Sequence, residues 1–123
     1  MSKILIIEDN PDIAELLKDL LSKEKFETAI CYDGLQGREF ALKFKPDLIL
    51  LDLMLPAGGG FYVLEKVKLS ALTKSIPIVV LTASKDIGHR NKALEMGVQA
   101  FIEKPYDPQA LISTIRGLLG QSQ

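Results

Sequence analysis

Short apolar runs alternate along the chain with stretches in which apolar residues recur every three or four positions. Five such runs cover Lys3–Ile7, Glu27–Cys31, Asp47–Leu51, Pro77–Leu81 and Ala100–Glu103. Three of them are continuously apolar rather than alternating, at Ile4–Ile7, Leu48–Leu51 and Ile78–Leu81. Strands that are buried on both faces of a parallel sheet have this pattern. The runs therefore predict five parallel strands.

The intervening stretches predict five helices. The first begins at Asn10-Pro11 and the last at Asp107-Pro108, because Asn and Asp cap free N–H groups and Pro is tolerated at the first helical position. The second lies near 35–44 and the third near 62–69. The fourth, over 86–96, has scattered apolar residues, so we expect it to be loosely packed.

Strands alternating with helices predict an α/β fold with a doubly wound parallel sheet and right-handed crossovers. The length of 123 residues, with 47% hydrophobic and 25% charged residues, fits one domain spanning 1–123. In such sheets, ligands bind beyond the carboxyl ends of the strands. The residues that end each strand are therefore the candidates for function.

Charge and composition exclude several classes of function. A formal charge of −1 supplies no overall field for nucleic acid or anionic lipid. A single cysteine cannot form an internal disulfide, which favours a reducing compartment. The apolar stretch within the first ten residues is too short for a secretory signal, and no apolar run approaches the roughly 18 residues of a membrane span. We expect a cytoplasmic protein without membrane insertion.

Polar side chains with complementary chemistry follow the predicted strands at one edge of the sheet. They are Glu8, Asp9, Asp52, Thr82, Ser84 and Lys104. Carboxylates supply the hard oxygen ligands that Mg²⁺ prefers. A lysine and a hydroxyl can hold the oxygens of a transferring phosphoryl group, and a carboxylate can attack it to form an aspartyl phosphate. The edge therefore predicts a Mg²⁺-assisted phosphoryl acceptor with Asp52 as the nucleophile.

Each residue also has a structural interpretation when taken alone. Asp9 can cap the first helix, and Asp52 can begin a loop. Thr82 and Ser84 can cap the fourth helix, and Lys104 can be a solvated surface lysine. These interpretations do not explain why all of them meet at the same edge of the sheet.

The chain resembles the receiver domains of two-component response regulators from Lys3 to about Leu119. The resemblance is carried by the segments ILIIEDN, LILLDLMLP, VVLTAS and AFIEKPYD, in that order. It implies a flavodoxin-like fold with strand order 2-1-3-4-5, flanked by five helices.

The resemblance also implies roles for individual residues. Glu8 and Asp9 serve the Mg²⁺ site, Asp9 as a direct ligand and Glu8 through water. Asp52 is the phosphoryl acceptor and a metal ligand, and the backbone carbonyl of Met54 is a further ligand.

Three other positions match the family's switch. Thr82 is implied to bond a phosphoryl oxygen, and Lys104 to reach the phosphoryl group. Phe101 occupies the aromatic switch position, where many members have Tyr. The Lys104–Pro105 peptide is implied to be cis.

The implied function is a phosphorylation-dependent signalling switch. The phosphoryl donor is a phosphohistidine on a sensor histidine kinase or phosphotransfer protein, and phosphorylation alters the surface that binds a downstream protein. The chain then binds no nucleic acid directly, and it is no enzyme beyond catalysing its own phosphorylation and dephosphorylation. No G-x-x-x-x-G-K-[ST] or G-x-G-x-x-G segment is present for a bound nucleotide donor.

Three other classes of protein fit the sequence less well. A dehalogenase-type aspartyl-phosphate phosphatase needs a second Asp two residues after the nucleophile, where this chain has Met54. A flavin-binding domain needs hydroxyl and glycine residues at the turn that holds Asn10-Pro11. The remaining alternative is an unphosphorylated, receiver-like interaction module. The presence of all four residues that match the family's site argues against it: Asp9, Asp52, Thr82 and Lys104.

The sequence departs from the family at Ala57-Gly58-Gly59-Gly60, which we interpret as a mobile connection. His89 is interpreted as a solvated residue, and Cys31 as a small hydrophobic residue. Lys85 and the lysines at 66, 68 and 74 are interpreted as solvated.

Overall fold

The computed structural model describes residues 1–55 and 59–121. Within them, the strands form one parallel sheet in the order β2-β1-β3-β4-β5. The strands are β1 (Lys3–Ile7), β2 (Glu27–Cys31), β3 (Leu48–Leu51), β4 (Ile78–Thr82) and β5 (Ala100–Glu103). The helices are α1 (Pro11–Lys23), α2 (Gly37–Phe44), α3 (Gly59–Leu69), α4 (Ile87–Glu95) and α5 (Pro108–Leu118), with a short 3-10 turn at Gly34–Gln36. The predicted fold class and strand order are confirmed.

Both faces of the sheet are covered, as the continuously apolar runs predicted. One apolar cluster joins the sheet to α2, α3 and α4 through residues such as Ala41, Leu64 and Ala93. The other joins the sheet to α1 and α5 through residues such as Leu21 and Ile112. All residues of β3 and β4 are buried, and so is Cys31. Because β3 and β4 are buried on both faces, the residues that follow these central strands are the ones that can present side chains to solvent.

The helix starts that the sequence predicted are present, with one exception. The Asn10 side chain accepts N–H bonds from the first turn of α1, and the Asp107 side chain does so for α5. In α4 the cap is Asp86, whose Oδ1 accepts from the N–H of Gly88 at 2.7 Å. The interpretation of Thr82 and Ser84 as caps of this helix is therefore wrong. Among the described residues of α4, Ala93 is the one that is buried, as expected for a loosely packed helix.

The last two glycines of the glycine-rich segment after β3 belong to a helix rather than to a mobile connection. Ala57 and Gly58, with Pro56, lie outside the described residues. Gly59, with φ of +71°, and Gly60 form the first turn of α3 instead. A Cβ on Gly60 would lie 2.4 Å from Leu53 Cα and 2.6 Å from Asp52 O, so only glycine allows α3 to begin this close to Asp52.

In the part of the chain that the structure describes, every helix is too short or too polar to cross a bilayer.

Candidate functional site

Three carboxylates converge at the carboxyl edge of the sheet. Glu8 follows β1 and Asp52 follows β3, and these strands pair directly, with Ile7 opposite Leu51. One oxygen from each of Glu8, Asp9 and Asp52 can be chosen so that all three lie within 4.8 Å of one another. Glu8 is 2% exposed and Asp52 is 9% exposed, whereas Asp9 is exposed. The parallel pairing therefore creates an acidic cluster, as the sequence predicted.

Lys104 extends from the end of β5 into this cluster. Its Nζ lies 3.0 Å from Glu8 Oε1 and 3.6 Å from Asp52 Oδ2. Its backbone N–H donates to Thr82 O at 2.8 Å, and the peptide that follows is cis, as the resemblance implied. Lys85 was interpreted as solvated; its side chain is largely exposed, but Nζ donates to Lys104 O at 3.0 Å. The ammonium group of Lys104 is thus held between two buried carboxylates.

Burial and the neighbouring charges both shift the pKa values of Glu8 and Lys104. Burial raises the pKa of Glu8, and the Asp52 charge adds to the rise, against the opposing effect of Lys104. Burial alone would lower the pKa of Lys104, but its hydrogen bond to Glu8 and the charges of Asp52 and Glu8 raise it. Burial therefore favours the protonated form of Glu8, and the neighbouring carboxylates favour the protonated form of Lys104. With three carboxylates around the Lys104 ammonium group, the cluster is suited to binding a cation.

Backbone N–H groups orient the two buried carboxylates. The N–H of Asn10 donates to Glu8 Oε2 at 3.2 Å, so hydrogen bonds engage both oxygens of Glu8. The N–H of Met54 donates to Asp52 Oδ1 at 2.9 Å. Asp52 thus forms the local turn that its structural interpretation predicted. Its Oδ2, however, faces Lys104, a contact that a turn does not require.

Thr82 and Phe101 lie on the neighbouring strands β4 and β5. Thr82 ends β4 opposite Glu103 and is fully buried, and its Oγ1 accepts the N–H of Ser84 at 3.2 Å. Phe101 pairs with Val80 and is partly buried against the cluster that includes α4. The structure thus places Thr82 beside the acidic edge and Phe101 beneath α4.

Two residues near the site have surroundings that the sequence did not predict. Burial raises the pKa of Tyr106, on which the charges of Lys104 and Glu8 also act. His89 is half-buried rather than solvated, and its Nδ1 lies 2.7 Å from Ser84 Oγ. The position of Tyr106, two residues after Lys104, could have indicated its proximity. Nothing in the local sequence marks the pairing of Ser84 with His89.

The donor set fits Mg²⁺. Carboxylate oxygens are the hard ligands that this ion prefers, and exposed Asp9 leaves one side of the cluster open to water and substrate oxygens. The excess of carboxylates over ammonium groups supplies the charge that a divalent cation would neutralise.

Comparison with known proteins agrees with this geometry. The family model of the response regulator receiver domain matches residues 4–116. The DNA-binding dual master transcriptional regulator RpaA of Synechocystis is 34% identical over 97% of this chain and 49% of its own length. The BeF3-activated receiver domain of Klebsiella pneumoniae RstA superposes with a TM-score of 0.90 and 31% identity, over 98% of this chain and all of that one. The magnesium-bound receiver domain of Pseudomonas aeruginosa PA1611 has a TM-score of 0.88 and 26% identity, over 98% of both chains.

This chain belongs to the response regulator receiver family of two-component systems, and its general function is that of a phosphoacceptor switch. It spans about half the length of the curated relatives it matches.

Proposed function

We propose that residues 1–123 form one receiver domain that accepts a phosphoryl group on Asp52 from a phosphohistidine of a sensor kinase or phosphotransfer protein. The observation that carries this proposal is the position of Lys104 Nζ, 3.0 Å from Glu8 and 3.6 Å from Asp52 within a cluster of three carboxylates. A cap or a solvated lysine would not need this convergence of groups from three strand ends.

The transfer is a displacement at phosphorus. A carboxylate oxygen of Asp52 forms the new O–P bond while the P–N bond to the donor imidazole breaks, and the departing imidazole takes a proton from water. Met54 N–H holds Oδ1 and leaves Oδ2 toward Lys104, so Oδ2 is the oxygen we assign as nucleophile. Lys104 and the Thr82 hydroxyl then bond oxygens of the phosphoryl group.

Glu8, Asp9, Asp52 and the carbonyl of Met54 would hold Mg²⁺. Bound there, the ion would neutralise negative charge on the phosphoryl oxygens. The hydrogen bonds that already engage both oxygens of Glu8 support an indirect role for it, with Asp9 as the direct ligand. The PA1611 receiver, whose structure has a magnesium ion in its active-site cleft, supports the assignment by analogy.

Phosphorylation would act through the charge it adds. Thr82 and Lys104 would be drawn toward the phosphoryl group, and Phe101 would move into the space that Thr82 leaves. The surface of α4, β5 and α5 would then change for a downstream protein. A shift of such a switch from 1:99 to 99:1 needs about 5.5 kcal/mol of differential stabilisation, which several charge-assisted hydrogen bonds can supply.

The partners of this chain follow from the same proposal. The name of RpaA describes DNA binding, but this chain corresponds to about half of that protein. The formal charge of residues 1–123 is −1, which supplies no overall attraction for nucleic acid. We therefore propose that they act through protein contacts and bind no nucleic acid themselves. We also propose that the only reactions it catalyses are its own phosphorylation and dephosphorylation. The cytoplasmic location stays a prediction.

The test is phosphorylation by acetyl phosphate in Mg²⁺ buffer, followed by intact-mass measurement. We expect a gain of one phosphoryl group that disappears in Asp52→Ala and when Mg²⁺ is chelated. Asp19→Ala is the matched control, because Asp19 is an exposed carboxylate of α1 outside the site. Its phosphorylation should equal that of the parent.

A gain that survives Asp52→Ala would refute the assignment of the acceptor. No gain in the parent, with either the small donor or a phosphohistidine protein, would favour the unphosphorylated interaction module instead.

A further inference from the structure

Ser84 and His89 form a hydrogen-bonded pair between the end of β4 and α4. Ser84 Oγ lies 2.7 Å from His89 Nδ1 and accepts the N–H of Asp86 at 3.3 Å. The serine hydroxyl that accepts from Asp86 can donate its own proton to Nδ1 of the ring, in which case Nε2 carries the ring proton. Nε2 faces Asp86 Oδ2 at 3.9 Å. The turn over 83–86 is thus tied to the first half of α4.

The same turn is tied to Thr82. The N–H of Ser84 donates to Thr82 Oγ1 at 3.2 Å, and Thr82 is fully buried. A movement of the Thr82 side chain toward Asp52 would take away the acceptor of this N–H, and the backbone of the turn would have to adjust. Because Ser84 Oγ is bonded to His89, that adjustment is resisted by α4.

His89 also contacts α3. Its ring packs against Phe61 at 5.8 Å between centroids and 65° between planes, an edge-to-face contact. Lys92 Nζ lies 4.4 Å from the centroid of the Phe61 ring. Few other contacts attach α4 to the core, because among the described residues of this helix Ala93 is the one that is buried. His89 is therefore a main attachment of the first half of α4.

We propose that the Ser84–His89 hydrogen bond is a positioning contact that holds the β4–α4 turn and α4 in the resting arrangement and is lost when Asp52 is phosphorylated. This inference rests on the proposed function, since it concerns how the same site is regulated. A contact made only in the resting state lowers the population of the activated state, and with it the apparent affinity for any ligand that mimics the phosphoryl group.

The two properties of the His89 side chain can be separated by substitution. His89→Phe keeps an aromatic ring against Phe61 and removes the hydrogen bond. His89→Asn removes the ring but places an amide near the position of Nδ1, where it can still bond Ser84. Ser84→Ala removes the other partner, and Ser84→Ala/His89→Phe completes a double-mutant cycle.

The measurement is the affinity of each variant for beryllofluoride in Mg²⁺ buffer, by fluorine NMR, with amide exchange of α4 recorded beside it. His89→Phe and Ser84→Ala should each bind about 3- to 10-fold more tightly than the parent, the factor expected from one neutral hydrogen bond. The double variant should gain no more than either single variant, and His89→Asn should stay near the parent. Exchange in α4 of the unliganded protein should rise in the tighter binders.

The outcomes separate this proposal from the one it rests on. If the parent binds no beryllofluoride, or binds it equally after Asp52→Ala, the proposed function fails. If the parent binds but His89→Phe binds equally or more weakly, the Ser84–His89 contact does not favour the resting state and the inference is overturned. Additive gains in the double variant would overturn it as well, because the two side chains would then act independently.

Discussion

Replacing Asp52 by Asn tests whether the acidic cluster is electrostatically strained. The substitution removes one negative charge at nearly constant volume. The amide oxygen can still accept the N–H of Met54, which Asp52 Oδ1 accepts at 2.9 Å. The contact that is lost is the one between Oδ2 and Lys104 Nζ, at 3.6 Å. The change in stability therefore reports mainly the net effect of the Asp52 charge.

The distances set the size of the effect. With an effective dielectric constant of about 20, the attraction between Asp52 and Lys104 at 3.6 Å is about 4.5 kcal/mol. The repulsion from Glu8, whose oxygen lies within 4.8 Å, is at least about 3.5 kcal/mol on the same basis. Asp9 repels from a similar distance, but it is exposed, so solvent weakens its effect. Attraction and repulsion nearly cancel, which leaves the cost of burying the charge of Asp52.

We therefore expect Asp52→Asn, without divalent ions, to be between unchanged and about 2 kcal/mol more stable than the parent. At about 4 °C per kcal/mol, this corresponds to a rise in Tm of up to about 8 °C. The assay is thermal and urea unfolding in EDTA, followed by far-UV circular dichroism. Mg²⁺ should then raise the Tm of the parent by more than that of the variant, because it binds the folded site through Asp52.

Asp19→Asn is the control, since it removes an exposed carboxylate of α1 and should change stability by less than about 0.5 kcal/mol. A loss of about 1 kcal/mol or more in Asp52→Asn, together with an unchanged response to Mg²⁺, would refute the reasoning. Asp52 would then be a structural residue that the fold needs in its charged form.

Two further predictions concern packing and burial. Gly60→Ala should destabilise the protein by about 1–3 kcal/mol in urea unfolding and reduce phosphoryl acceptance, because the added Cβ would meet the backbone of Asp52 and Leu53. The control is Gly117→Ala, at an open position of α5, which should stabilise the protein by up to about 1 kcal/mol in the same titration. Equal effects of the two substitutions would contradict the close approach at Gly60. Burial raises the pKa of the Cys31 thiol, so its stabilising contribution is fully present below about pH 8.5, the unfolded value, and is lost as pH rises through the folded value. The difference in unfolding free energy between the parent and Cys31→Ala should accordingly shrink from pH 7 to pH 10. A disulfide reagent should modify the thiol much faster in urea than in the native protein. Rapid modification of the native protein would contradict the burial of the thiol.

The sequence alone determined the sheet and the set of residues at its functional edge. Continuous apolar runs identify strands buried on both faces, and the helix starts at Asn10 and Asp107 depend on bonds within a few residues. Once the strands are parallel, their ends must meet at one edge. Glu8, Asp52, Thr82 and Lys104 could therefore be grouped without coordinates, although no two of these positions are close in the chain.

Only the tertiary structure decided how those residues divide their contacts. Glu8 is buried and bonded to Lys104, 96 positions away, while its neighbour Asp9 is exposed. Gly60 is required because α3 begins in close contact with the backbone of Asp52 and Leu53, which follow β3. Asp86 caps α4, and Ser84 bonds His89 instead. These choices depend on where separate segments approach one another to within a few ångströms, and local patterns of apolar and polar residues carry no information about such distances.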